Sequence, residues 1–228
     1  MKMKRIVWNM LGAAAVGLLA VGCEKESGSQ GSGPDRVSPA VLAAFEALYP
    51  GAEQVRWEVK GDYAVANFYW SGVRAAGVAA NRAAWFENGD GAWSMTETDI
   101  RFDQLPEAVK RAFAEGEYAD WRVDEVDMLD RDGVEIIYVV EVERDGREKE
   151  LLFNGAGEWV KTSWEVRVRE LPAAVTDAIR RSDYAAFGID GADFVETPDG
   201  DWYEVELEDG RDREVTLRVT AEGAILKR

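Results

Sequence analysis

The chain has 228 residues, of which 46% are hydrophobic and 31% charged. That is long enough for one large domain or two to four small ones, and too apolar to stay disordered. With 44 acidic against 27 basic residues the formal charge is −17, which argues against nucleic acid as a partner, because phosphates need basic residues. There is no histidine, so Ser-His-Asp and Cys-His catalysis, histidine zinc sites and histidine proton shuttles are excluded. A single cysteine excludes a disulfide within the chain and a cysteine metal cluster.

Residues 1–23 read MKMKRIVWNMLGAAAVGLLAVGC. Lys2, Lys4 and Arg5 form a basic start to an apolar run. Its clearly apolar part, Leu11 to Val21, is too short to span a bilayer comfortably. This is the pattern of an export signal. Cys23 follows Leu19-Ala20-Val21-Gly22 directly. Small residues before a lone cysteine resemble a bacterial lipoprotein signal, although leucine is more usual where Ala20 stands. That resemblance implies a signal peptide over 1–22, cleavage before Cys23 and lipid attachment to it, with the protein anchored at the bacterial cell envelope. Glu24, where aspartate would signal retention in enteric bacteria, implies the outer membrane. Cleavage would remove three positive charges and bring the formal charge to −20. Acyl chains would be its only hold on the membrane. Residues 24–36, EKESGSQGSGPDR, read as a flexible tether, so that 23–36 form a lipidated spacer.

The rest of the chain is one pattern written three times. Ser38-Pro39-Ala40-Val41, Leu105-Pro106-Glu107-Ala108-Val109 and Leu171-Pro172-Ala173-Ala174-Val175 align, with prolines 67 and 66 residues apart. Counting 47 residues on from each proline reaches Phe86, Phe153 and Val219. Each enters a glycine-containing turn: Asn88-Gly89-Asp90-Gly91, Asn154-Gly155-Ala156-Gly157 and Ala221-Glu222-Gly223. Trp93, Trp159 and Ile225 follow those turns. The predicted units are 37–103, 104–169 and 170–228.

Each unit is predicted to open with a helix whose proline takes the first helical position. Ser38 can cap the first helix and Pro50-Gly51 can stop it. Val41, Leu42, Phe45 and Leu48 form its apolar stripe, echoed by Val109, Ala112 and Phe113 and by Val175, Ala178 and Ile179. Leu105 and Leu171 are poor caps and are expected to dock into the core. Strand-like runs follow. Ile136, Tyr138, Val140 and Val142 alternate with Ile137, Val139, Glu141 and Glu143, and Tyr203, Val205 and Leu207 alternate with Trp202, Glu204, Glu206 and Glu208. Such alternation predicts a sheet with one covered and one open face. Asp145-Gly146 and Asp209-Gly210 mark hairpins. The expected fold class is α+β, in tandem repeats of one helix plus a three- to four-stranded antiparallel sheet.

The Leu-Pro-x-x-Val helix, alternating strands and Phe-x-x-x-Gly hairpin together resemble the PepSY-like, β-lactamase-inhibitor-like family over about 37–228. The first unit departs most, with Ser38 in place of leucine and an Ala- and Gly-rich stretch over Gly72 to Ala84. The resemblance implies helix-plus-sheet units with a concave, aromatic-lined surface of the kind with which the β-lactamase inhibitory protein grips an enzyme. It carries no catalytic residues. Inhibition of a β-lactamase does not follow from fold alone.

Nine Trp, seven Tyr and eight Phe are many for this length. Ala64, Ala66, Phe68 and Trp70 alternate with Tyr63, Val65, Asn67 and Tyr69, and Asn67 suggests that the second set faces away from the helix. Phe86 and Phe153 should point inward, so Trp85 points outward. Trp202 alternates with acids. Trp93 and Trp159 flank turns and could face either way. The candidate protein-binding residues are therefore Tyr63, Tyr69, Trp85, Trp93, Trp159 and Trp202. A second reading stays open for them: aromatic pairs that only stabilise the sheet, or a face covered by a neighbouring unit. The acids Asp124, Glu125, Asp127, Asp130 and Asp132 could hold Ca²⁺, but no calcium-loop spacing fits them, and a solvated face explains them better. No metal, cofactor or catalytic carboxylate pair is assigned. The expected function is a non-enzymatic envelope module that binds another envelope protein or peptide and regulates or inhibits it. The alternative is a sensor of a small ligand or divalent cation.

Overall fold

The computed structural model describes residues 34–71, 80–210 and 213–226. The export signal, Cys23, most of the tether and most of the Gly72–Ala84 stretch lie outside the described residues. Among the described residues, no helix is long and apolar enough to cross a membrane.

Three helices form where the sequence places them: α1 (Pro39–Leu48), α2 (Glu107–Glu115) and α3 (Ala173–Arg180). Ser38 caps α1, its hydroxyl accepting the Val41 N–H at 3.3 Å. Pro39 does take the first helical position. Pro106 and Pro172 instead sit one residue earlier, as caps in extended conformation. Their carbonyls accept the N–H of Lys110 and Thr176, so the missing proline N–H costs nothing at either position. Leu105 and Leu171 are buried in the cores beneath their helices, as expected. Leu42 departs from expectation and is 38% exposed. Val41 and Phe45, four residues apart, already fill the inward face of α1, and Leu42 lies a quarter turn away from it.

The strands are β1 (Glu53–Lys60), β2 (Tyr63–Trp70), β3 (Ala80–Glu87) and β4 (Trp93–Asp99) after α1. After α2 come β5 (Arg122–Arg131), β6 (Val134–Arg144), β7 (Arg147–Asn154) and β8 (Trp159–Glu165). After α3 come β9 (Gly188–Glu196), β10 (Trp202–Glu208) and β11 (Glu214–Val219). They do not make separate small sheets. All eleven follow one another in order in a single sheet, which corrects the expected class of repeats each with its own three- to four-stranded sheet. The join is visible at β4, which pairs with β5 from Met95↔Arg131 to Asp99↔Asp127. Joining strand to strand removes sheet edges that would otherwise leave backbone groups unpaired.

The described residues fall into two compact bodies, one ending at Thr162 and the other beginning at Ser163. In the first, Val41 and Phe45 of α1 pack on Trp57, Ala64, Ala66, Phe68 and Phe86. Val109 and Phe113 of α2 pack on Val126, Val140, Leu151 and Phe153. In the second, Val175 and Ile179 of α3 pack on Ala192, Val205, Leu207 and Val219. Phe86, Phe153 and Val219, at matching offsets from their prolines, are all buried on the helix side.

Candidate functional site

Strand alternation assigns the sheet face away from the helices. Ala64, Ala66 and Phe68 lie in the core under α1, so Tyr63, Val65, Asn67 and Tyr69 of β2 take the opposite face. Cross-strand pairing carries that face along the sheet to Arg56, Glu58 and Lys60 of β1 and to Trp85 of β3. It then reaches Met95, Glu97 and Asp99 of β4 and their partners Arg131, Leu129 and Asp127 of β5.

The structure brings two of the predicted aromatics together. Tyr63 and Trp85 meet edge to face at 6.1 Å, and the Lys60 ammonium stands 5.1 Å over the Trp85 ring. Burial, then the nearby Glu87 and Asp62 carboxylates, push the Tyr63 phenol above its ordinary pKa. Tyr69 is on the same face and 36% exposed. Trp85 occupies the predicted face but is only 5% exposed, so it backs Tyr63 rather than standing free. Trp93 belongs to the other side and packs against the α1 core. Its indole N–H donates to Thr96 Oγ1 at 2.9 Å. Trp159 makes the same bond to Thr162 at 2.9 Å but is 39% exposed. In the second body, Trp202 donates to Glu204 Oε1 at 3.4 Å and carries the Arg218 guanidinium 5.2 Å over its ring.

The face expected to be wet is also partly covered. Val65, Met95, Leu129, Ile137, Val139 and Leu152 all lie on it and are buried. The register sets Leu129 opposite Ile137 and Val139 opposite Leu152, so these side chains shield one another across the ladder.

Acids line the remainder. Glu125 stands opposite Glu141, and Glu141 opposite Glu150. Glu143 faces Glu148, Asp99 faces Asp127, and in the second body Asp193 faces Glu204. Like charges directly opposite one another weaken a sheet. The Arg122 guanidinium reaches Glu143 Oε2 at 2.6 Å and Asp124 Oδ1 at 2.5 Å, and Arg218 Nε reaches Glu204 Oε1 at 3.0 Å. Arg122 holds the Glu143 carboxyl below its usual range, helped by the Gly146 N–H.

The carboxylates of Glu97, Asp99 and Asp127 offer oxygens within 4.8 Å of one another. Of the acids weighed in the sequence, only Asp127 is among them. Glu97 and Asp99 arrive from β4, and no local spacing announces that meeting.

The sequence profile described as "Putative beta-lactamase-inhibitor-like, PepSY-like" matches twice, over residues 74–151 and 144–227. The chain belongs to this family. A solved DUF2874 family protein from Bacteroides ovatus is 32% identical with a TM-score of 0.50, covering 55% of this chain and 86% of that one. A Bacteroides eggerthii structure described as "putative periplasmic" is 27% identical with a TM-score of 0.50, covering 55% of this chain and 87% of that one. A BLIP-like protein from Bacteroides fragilis is 35% identical, with a TM-score of 0.47, and covers 54% of this chain and 83% of that one. No curated protein matches the chain.

Proposed function

We propose that this chain is a lipid-anchored, non-catalytic envelope protein built from three PepSY-like units, 37–103, 104–169 and 170–228. Its work is to bind another envelope protein through the non-helical face of its sheet and so restrain that partner, a peptidase or another envelope enzyme. The observation that carries this reading is the makeup of that face, where exposed Tyr69 and half-buried Tyr63 stand on the same face as rows of facing carboxylates. Tyrosines on a rigid sheet bury large areas at low entropy cost. The acidic character of that face selects for partners with basic surfaces. The family's inhibitor-like description and the periplasmic description of the Bacteroides eggerthii relative support an envelope binding role. The Cys23 signal supports a lipid anchor.

Immobilising the protein and passing envelope extract over it tests the reading. One stoichiometric protein, retained by the wild type and lost on Tyr69→Ala or Trp202→Ala, is the expected result. Variants that fold normally and retain the same proteins as the wild type would refute it.

The gathering of Glu97, Asp99 and Asp127 favours one second reading, divalent-cation binding. A Ca²⁺-dependent thermal shift, reversed by chelator and lost on Asp127→Asn, would mark it.

A further inference from the structure

We propose that Arg82 binds a small monocarboxylate anion, taken side-on by its guanidinium on the helical face of the sheet. That face is opposite the one argued above to bind a partner protein, so the two readings stand or fall separately. Arg82 lies in β3, between Phe68 of β2 and Thr98 of β4. Phe68 and Trp70 belong to the core under α1, so strand pairing and alternation turn Arg82 toward the same side. Arg82 is only 6% exposed and Thr98 2%.

Two contacts hold the guanidinium in place. Nη1 donates to Thr98 Oγ1 at 2.7 Å, and the guanidinium carbon stands 5.3 Å over the Trp70 ring. Trp70 is fixed in turn, its indole N–H donating to the Pro50 carbonyl at 3.1 Å and its ring meeting Tyr49 edge to face at 5.1 Å. The other two nitrogens, Nε and Nη2, are buried, and among the described residues neither has a hydrogen-bond partner. Their N–H groups point the same way and form the parallel fork that takes both oxygens of one carboxylate.

The charge is unanswered too. Burial pulls the Arg82 pKa below its ordinary value, and among the described residues the group that pushes it back is the Tyr49 phenol rather than a carboxylate. Asp130 of β5, opposite Thr96 on the same face, forms no ion pair with it. Residues 72–79, between β2 and β3, contain no Asp or Glu. Water can satisfy two N–H groups but leaves the charge, whereas a carboxylate answers both. One positive charge calls for a monoanion, because a dianion would leave a buried negative charge in its place. The depth of the fork suits an anion the size of formate. Nor does the fold need a cation at this position. Forty-three residues on from each repeat's proline stand Arg82, Lys149 and Val215. Lys149 donates to the Tyr118 hydroxyl at 2.8 Å, and Val215 is apolar.

The test titrates the purified full chain with sodium formate against sodium chloride at constant ionic strength. Formate should raise the melting temperature by roughly 3–6 °C for each tenfold excess over its Kd, and chloride should not. In proton–nitrogen NMR spectra of the arginine side chains, one Nε–H signal, absent from Arg82→Lys, should move downfield and saturate as formate binds. Arg82→Lys keeps the charge but loses the fork, and should weaken formate binding at least tenfold. Arg82→Met removes the unanswered charge. Without formate it should melt at or above the wild-type temperature, and formate should not shift it. A wild-type chain that shows no saturable response, or responds equally to chloride, would overturn the proposal. So would an Arg82→Met chain that still responds to formate, or that melts well below wild type without it.

Discussion

Gly157 and Ala108 approach so closely that a Cβ on the glycine would lie 2.5 Å from the Ala108 carbonyl oxygen. The contact recurs. Gly91 would meet the Ala40 carbonyl carbon at 2.7 Å, and Gly223 the Ala174 oxygen at 2.6 Å. In each case a hairpin turn is pressed against the first turn of a helix, and the glycine has positive φ, between 81° and 87°. Gly157→Ala should destabilise by about 2–4 kcal/mol, from backbone strain plus a clash that only movement of α2 can relieve. Gly133 has φ 65° but open space around it, so Gly133→Ala should cost about 1–2 kcal/mol. Urea unfolding of the two variants measures the difference.

Thr96 of β4 ties its own strand to the C-terminal end of α1. Its hydroxyl bonds the Tyr49 hydroxyl at 2.5 Å and accepts the Trp93 N–H at 2.9 Å, in a buried position. Thr96→Val keeps the shape and removes both bonds, at a cost of about 1–3 kcal/mol. Thr162→Val removes only the bond from Trp159, whose exposed indole can turn to water, and should cost about 1 kcal/mol or less. Paired denaturation curves, together with Trp93 fluorescence, check this.

Arg122 sets the acid response of β6. It holds the Glu143 carboxyl below its ordinary range. A folded-state value below the unfolded one means that the stabilisation is present at neutral pH. It is lost as pH falls through the folded value, below the usual glutamate figure of about 4.3. An NMR titration should place the Glu143 midpoint under that figure, and Arg122→Gln should move it back up. The stability gap between wild type and Arg122→Gln should be widest near pH 7 and close once both forms are protonated.

Much of the local architecture was legible because local rules govern it. The Ser38 cap, the inward Phe86 and Phe153, the buried Leu105 and the glycine turns all follow from residue chemistry and periodicity within one helix or hairpin. What the periodicity did not contain was pairing between distant strands. Nothing local tells β4 to join β5, so the single sheet was missed, and with it the meeting of Glu97 and Asp99 with Asp127. The facing of Glu125, Glu141 and Glu150 depends on a bulge between Val123 and Glu125 and on hairpin registers, which composition does not reveal. Trp85 was assigned to the correct face. Its burial depends on Tyr63 and Lys60 packing around it, a property of three strands together.

Site-specific photocrosslinking in cells tests the binding claim most directly. A photoreactive residue at Tyr69 or at Glu148, on the non-helical face, should trap one discrete envelope protein, and adding Tyr63→Ala should abolish the adduct. The same residue at Arg111 on α2 should trap none. Equal trapping from α2, or no adduct from the sheet positions of a folded and exported protein, would contradict the account.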